Sequence, residues 1–219
     1  MFTRILWTQF KWTRTLLAAS MVITFAAPSL AWRIGASVSF GTAPSALELM
    51  TGFQPVGMIL MVTACLLGFL LVAIPWGSDA AAKHVYALSL PIPWRRYVGM
   101  RFGAGALTLL LPAASLWLGA LVTLALVEIP AMLHAYPGGL AVRFALATLL
   151  VYGMTFLLQY LAGRRAPILL LTILLTGVAV VVIATAAGYG AALNAIGRAL
   201  TEWPGPLAIF SNEWKLLDV

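Results

Sequence analysis

The feature that most constrains this chain is the spacing of its charges. Five stretches carry none at all: residues 15–32, 49–78, 102–127, 144–163 and 166–197, each 18 residues or longer. A helix needs about 20 apolar residues to cross the hydrocarbon core of a bilayer. Trimmed to that length, the windows predict spans at 15–32, 53–76, 102–127, 144–162 and 168–188. The windows are uniformly apolar, whereas a barrel strand would alternate apolar and polar residues over about ten positions. Only 9% of the 219 residues are charged and 63% are hydrophobic, against about 25% charged in an ordinary soluble domain. An all-α, polytopic membrane helix bundle is therefore expected. Pro28, Pro55, Pro75 and Pro112 fall inside the windows, which membrane helices tolerate where neighbours take up the freed carbonyls.

The remaining segments divide around these spans. Residues 1–14 read as an N-terminal amphipathic interface helix, residues 15–188 as the transmembrane domain with a loop at 77–101, and residues 189–219 as an extracytoplasmic or interfacial tail. A short helix after Gly188 suits the interface, and Trp203-Pro-Gly-Pro breaks it. Residues 207–210 are too few to cross, so a sixth span stays open. The first window has a competing reading as a cleaved signal peptide with its small-residue site at Ser29-Leu30-Ala31; its length and the fourteen-residue charged lead favour a span. Cys65 is the single cysteine and supports no disulfide framework.

Short-loop bases set the orientation. With the N-terminus inside, Arg4, Lys11, Arg14, Lys83, Arg95, Arg96, Arg101, Arg164 and Arg165 lie on the cytoplasmic side. Arg33, Arg143, Arg198 and Lys215 lie outside. The net charge of +7 is spread between apolar blocks rather than gathered into a nucleic-acid footprint, so no nucleic-acid partner is expected. The predicted location is the inner (cytoplasmic) membrane.

The residues that carry chemistry are few. The topology puts His84 and His134 on opposite sides, no carboxylates pair in sequence, and no phosphate loop of the Gly-x-x-x-x-Gly-Lys type occurs. Neither a catalytic residue, a metal set nor a cofactor site is expected. Gly99-x-x-x-Gly103 matches a pattern that lets helices pack closely. Trp117 and Tyr152 read as packing residues within spans.

The loop 77–101 is the informative segment. Ser78 can cap a helix with Asp79 in its first turn. Asp79 and Lys83 stand at i,i+4 as a solvated pair, and Val85 and Leu88 fall on one side of the same helix. Leu90-Pro91 ends it, and Arg95 and Arg96 restart the chain toward the next span, where positive-inside anchoring is their simplest role. This layout resembles the cytoplasmic coupling loop of the ATP-binding-cassette type-2 permease family: an acidic residue, a helical stretch, Leu-Pro and a nearby Arg before the third span. The lead at 1–14 and the segment after the fifth span resemble that family too. Two departures stand: Ala82-Lys83 replaces a frequent Gly-Thr, and the family usually has six spans. The resemblance implies a permease subunit, an exporter by expectation, pairing with itself or a homologous chain. ATP and magnesium would belong to a separate ATPase subunit docked on the loop. The alternative is a membrane scaffold that recruits a soluble partner through the same loop.

Overall fold

The computed structural model describes residues 1–37, 46–81, 93–127, 133–202, 205, 207–210, 214 and 216–218. The chain divides into two compact units, Met1–Thr155 with Glu213–Val219, and Phe156–Asn212.

The first unit is a helix bundle. It contains α1 (Phe2–Ser37), α2 (Ala46–Ala81), α3 (Trp94–Thr108), α4 (Leu110–Leu126) and most of α5 (Pro137–Ala162). Contacts run Gln9 to Leu71 and Met21 to Ser115, so α2 is antiparallel to α1 while α3–α4 runs alongside α1. Only Leu109 separates α3 from α4. Pro112, which lacks the N–H that would bond Thr108, accounts for the break.

The burial pattern is that of a lipid-facing bundle. On α1 the buried stripe is Ile5, Gln9, Thr13, Leu17, Ser20, Thr24, Ala27 and Ala31, while Val22, Ile23 and Phe25 face outward. On α4 Ser115, Gly119, Ala120 and Thr123 face inward and Leu110, Trp117, Leu118 and Val122 outward. Small and hydroxyl residues inside with large apolar ones outside is the arrangement expected where lipid already solvates the apolar face. Most of the buried hydroxyls bond within their own helices, as Thr13 Oγ1 does to the Gln9 carbonyl (2.8 Å) and Thr24 Oγ1 to the Ser20 carbonyl (2.9 Å), and so need no partner helix. Ser115 instead donates across to the Met21 carbonyl of α1 (2.8 Å). Among the described residues, four segments are long and apolar enough to cross a membrane: Phe2–Gly35, Phe53–Asp79, Trp94–Leu126 and Pro137–Ala162.

Several boundaries differ from the sequence-based expectation. Residues 1–14 are not set off from the first span, because α1 runs unbroken from Phe2 to Ser37. Its lead buries Ile5, Gln9 and Thr13 against the bundle. The third span begins at Trp94 rather than at residue 102, which brings Arg95, Arg96 and Arg101 into the helix. Gly99 has no neighbour within 4 Å of a Cβ placed there, and Gly103 only Phe2 at 3.7 Å. That glycine pair therefore makes no close helix contact within the chain. The close approaches are at Gly68, where a Cβ would meet the Thr148 carbonyl at 2.8 Å, and at Gly119, which abuts the backbone of Phe25. Tyr152 is a packing residue, as expected: it is fully buried and donates from its hydroxyl to the Phe102 carbonyl (3.1 Å). Trp117 instead faces outward.

The end of the chain returns to the first unit. Leu217 and Asp218 pair antiparallel with Ala135 and His134, and the Tyr136 N–H donates to the Leu216 carbonyl (2.9 Å). Trp214 is buried, edge-on to Phe144 and beneath the Arg143 guanidinium, with Gly57 leaving room for it. Within the tail, then, Trp214 is a packed plug rather than an exposed anchor.

In the second unit, Gly163 at φ +53° ends α5 and a short 3-10 turn follows. α6 (Ala166–Ala186) ends in a Schellman motif: Tyr189 N–H donates to the Ala184 carbonyl and Gly188 N–H to the Thr185 carbonyl, with Gly188 at φ +81°. α7 (Gly190–Thr201) is the short helix expected after Gly188.

Candidate functional site: a buried brace at the ends of α2 and α3

Pro75 begins the construction of the site. Its missing N–H frees the Leu71 carbonyl, and Gln9 Nε2 of α1 donates to that oxygen (3.0 Å). This polar contact ties the α1 lead to the last turns of α2. Ser78, expected to open a new helix, instead continues α2 and donates to the Ile74 carbonyl (3.0 Å). Asp79 thus lies in the last turn of α2, not the first turn of a loop helix.

The inward direction of Asp79 follows from its helix register. Val72, Pro75, Trp76 and Asp79 are all on the buried face, and Asp79 is only 4% exposed. A lone carboxylate there would be strongly destabilising, so it must be paired. Arg101 of α3 forms the ion pair through Nη1. Tyr97, one turn earlier on α3, donates its hydroxyl to Asp79 Oδ2 (3.3 Å) and accepts from Arg101 Nη1 (2.9 Å). The Arg101 guanidinium carbon lies 5.5 Å from the Trp76 ring centre and 5.9 Å from that of Tyr97. These distances suit cation–π attraction in a desolvated setting. Ile5 of α1 packs with Tyr97 and Ala104, so three helices meet at the brace.

A cleft opens beside it, lined by Ile5, Thr8, Gln9, Trp12, Asp79, Tyr97 and Arg101. Arg101 Nη2 is buried and, among the described residues, has no hydrogen-bond partner.

Of the residues expected to form the coupling loop, Asp79 is in the brace, while Arg95 and Arg96 are exposed on the first turn of α3. Lys83, Val85, Leu88, Leu90 and Pro91 lie outside the described residues. A solvated role for Asp79 does not survive its burial. Gln9, Trp76, Tyr97 and Arg101 were not legible as site residues. The available signals were an acid at the very end of an apolar window and the i,i+4 spacing of Tyr97 and Arg101. Among the described residues no three His, Cys, Asp or Glu side chains gather as metal ligands.

Fold and site together define an all-α, multi-pass membrane bundle whose second and third spans are joined by a buried ionic brace. No protein-family model matches the chain, and neither does any curated protein or any solved structure.

Proposed function

We propose that the chain is the membrane-spanning permease subunit of an ATP-driven transporter of the ATP-binding-cassette type-2 class, working as an exporter beside a separate ATPase. The observation that supports this reading best is the brace. The segment 82–92 begins three residues after Asp79, where α2 ends, and stops just before the helix that carries Tyr97 and Arg101. With both flanks held by an ion pair and by α1, a push on that segment moves three helices together instead of bending a loop. Such coupling is what alternating access needs: closure of two nucleotide-loaded ATPases biases one of two bundle arrangements.

α6 supplies the fifth span in this proposal. It is a 21-residue helix whose described side chains Ile168, Leu169, Leu175, Val180, Val182 and Ile183 are apolar and exposed, and such all-round apolarity suits lipid. Five spans enclose little volume, so the permease pairs with itself or a homologous chain and with two ATPase subunits, which hold the ATP and magnesium. The N-terminus is cytoplasmic in the inner membrane, by the nine-to-four excess of bases counted along the chain. Reporter fusions near Trp94 and Arg164 are expected to read cytoplasmic, and those near His134 and Arg198 external. Trp94 and Arg198 on one side would remove the five-span topology.

Affinity purification in detergent, with identification of the copurifying subunits, tests the assembly. An ABC-type ATPase whose turnover responds to the permease is the expected outcome. A lone chain, or a soluble partner without ATPase activity, would favour the scaffold. Replacing Val85 and Leu88 together by Ala removes about five methyl or methylene groups, at about 0.8 kcal/mol per buried CH₂. Association is expected to weaken about tenfold per 1.4 kcal/mol lost, and stimulation of the ATPase is expected to disappear while membrane insertion persists. Full assembly and full stimulation would show that this segment is not the coupling element.

A further inference from the structure

The outward stripe of α1 changes character along its length. Arg4, Trp7, Lys11 and Arg14 follow one another at three- and four-residue steps, so they share one face, and all four are exposed. Ala18, Val22 and Phe25 continue that stripe, also exposed. The opposite stripe, from Ile5 to Ala31, is the one buried in the bundle. The open face is thus basic and aromatic over its first turns and apolar thereafter.

The spacing of charges sets its depth. Residues 15–32 carry none, and at 1.5 Å per residue they rise about 27 Å, close to the ~30 Å of a hydrocarbon core. Arg14 and Arg33, both exposed, bracket that run and stand at the two headgroup levels. The two ends of α1 are unequal. Past Arg14 lie Lys11 and Arg4 on the same stripe, and Arg95 and Arg96 are exposed on the first turn of α3, whose Tyr97 packs on Ile5. α1 contains no acid. Among the described residues of the first unit, the carboxylate at this end is Asp79, which Arg101 already neutralises. The stripe therefore selects an anion. Trp7 is 67% exposed and stacked on Phe10, and outward Trp beside bases is the pattern of a helix end among headgroups.

We infer that this stripe of α1 binds an anionic phospholipid, with Lys11 and Arg14 donating to its phosphate and one acyl chain lying along Ala18, Val22 and Phe25. From Arg14 to Phe25 the helix rises about 16 Å, which matches the ~15 Å depth of one leaflet's hydrocarbon. Lys and Arg donate charge-assisted hydrogen bonds to phosphate oxygens, and Arg4 adds attraction from just beyond the headgroups. A soluble phosphate would meet the bases but gain nothing from the apolar run, so the occupant is a lipid. The inference depends neither on the transporter reading nor on which side of the membrane the N-terminus faces.

Native mass spectrometry of the full chain in detergent tests it, with phosphatidylglycerol and phosphatidylcholine of the same acyl chains at matched concentration. The wild type is expected to retain phosphatidylglycerol preferentially, and to keep it when inorganic phosphate is added. Lys11→Gln with Arg14→Gln is expected to bind phosphatidylglycerol about fivefold more weakly per base removed, about twenty-five-fold for the pair. The exchange Lys11→Arg with Arg14→Lys keeps both charges and is expected to bind as the wild type does, as is Arg33→Gln at the other end of α1. Equal retention of the two lipids by the wild type would overturn the inference. So would undiminished binding in the double Gln variant, or displacement of phosphatidylglycerol by inorganic phosphate. If the double Gln variant does not insert, the comparison of the two lipids on the wild type decides.

Discussion

Asp79→Ala is expected to destabilise the first unit by about 3–5 kcal/mol, because it strands the Arg101 charge in a place water does not reach. The size of the effect comes from the broken partnership, not from the strength of the pair. Two charges withdrawn from water recover little net energy from each other, so replacing both with apolar groups of similar volume is often neutral or better. The double variant Asp79→Leu with Arg101→Met is therefore expected to regain most of what the single variant loses. The coupling between the two positions should be large and opposite in sign to simple addition. Cys65 gives a convenient readout: it is the only cysteine, it is partly buried in the middle of α2, and its labelling rate in detergent reports opening of that helix. Labelling in Asp79→Ala as slow as in the wild type would mean that the brace has no structural weight. In that case its conformational coupling role would fall as well.

A second large effect is expected at Gly119. A side chain there would run into the Phe25 backbone of α1, and backbone cannot move aside as a flexible side chain can. Gly119→Leu must separate α1 from α4, which also stretches the bond from Ser115 Oγ to the Met21 carbonyl (2.8 Å) one turn away. Overpacking of this kind costs about 3 kcal/mol or more. The matched control is Gly99→Leu on the open face of α3, where nothing lies within 4 Å; there the change should fall within about 1 kcal/mol and favour the helix, since Gly is a poor helix former. Yields of monodisperse protein and melting in detergent measure both. Equal behaviour of the two variants would contradict the close approach of α1 and α4.

These two glycines also illustrate how much was legible in advance. Gly99 and Gly103 matched the spacing of a close-packing motif, yet they face open space and a single Phe2 ring atom. Gly119 lies in no Gly-x-x-x-Gly pair, only in the looser small-residue spacing Ser115, Gly119, Thr123, and makes the tight contact. Spacing states which residues share a helix face; it does not state which face meets another helix, and in a bilayer hydropathy does not settle that either. Lipid tails and a protein interior are about equally apolar, so the outward Val22 and the inward Leu17 of α1 look alike to any hydropathy scale.

The candidate site divides along the same line. Asp79 was visible as the acid between the second and third windows, and Arg95 and Arg96 as bases near the next span. The ends of the helices were not visible, because α2 continues through Ser78 to Ala81 and α3 begins at Trp94. Charged residues were taken as the limits of spans, whereas Asp79 and Arg101 extend them by neutralising each other. A charge ends a membrane helix only when it has no partner, and partnership is a property of two helices.

What the sequence by itself determined is the class: long charge-free windows can satisfy their backbone in lipid only as helices, so an all-α membrane bundle followed from composition and spacing. The helix ending at Gly188, which has a local cause, was determined there too, whereas the break after Thr108 was not expected, because Pro112 was read as tolerated within one span. Only the tertiary structure decided that Gln9 takes the carbonyl freed by Pro75, that Trp214 returns to pack on Phe144, and that Asp79 closes on Arg101 and Tyr97. Each of those contacts joins residues far apart along the chain. The free energy that selects them lies in desolvated polar groups finding one particular partner, which no local pattern of apolar and polar residues encodes.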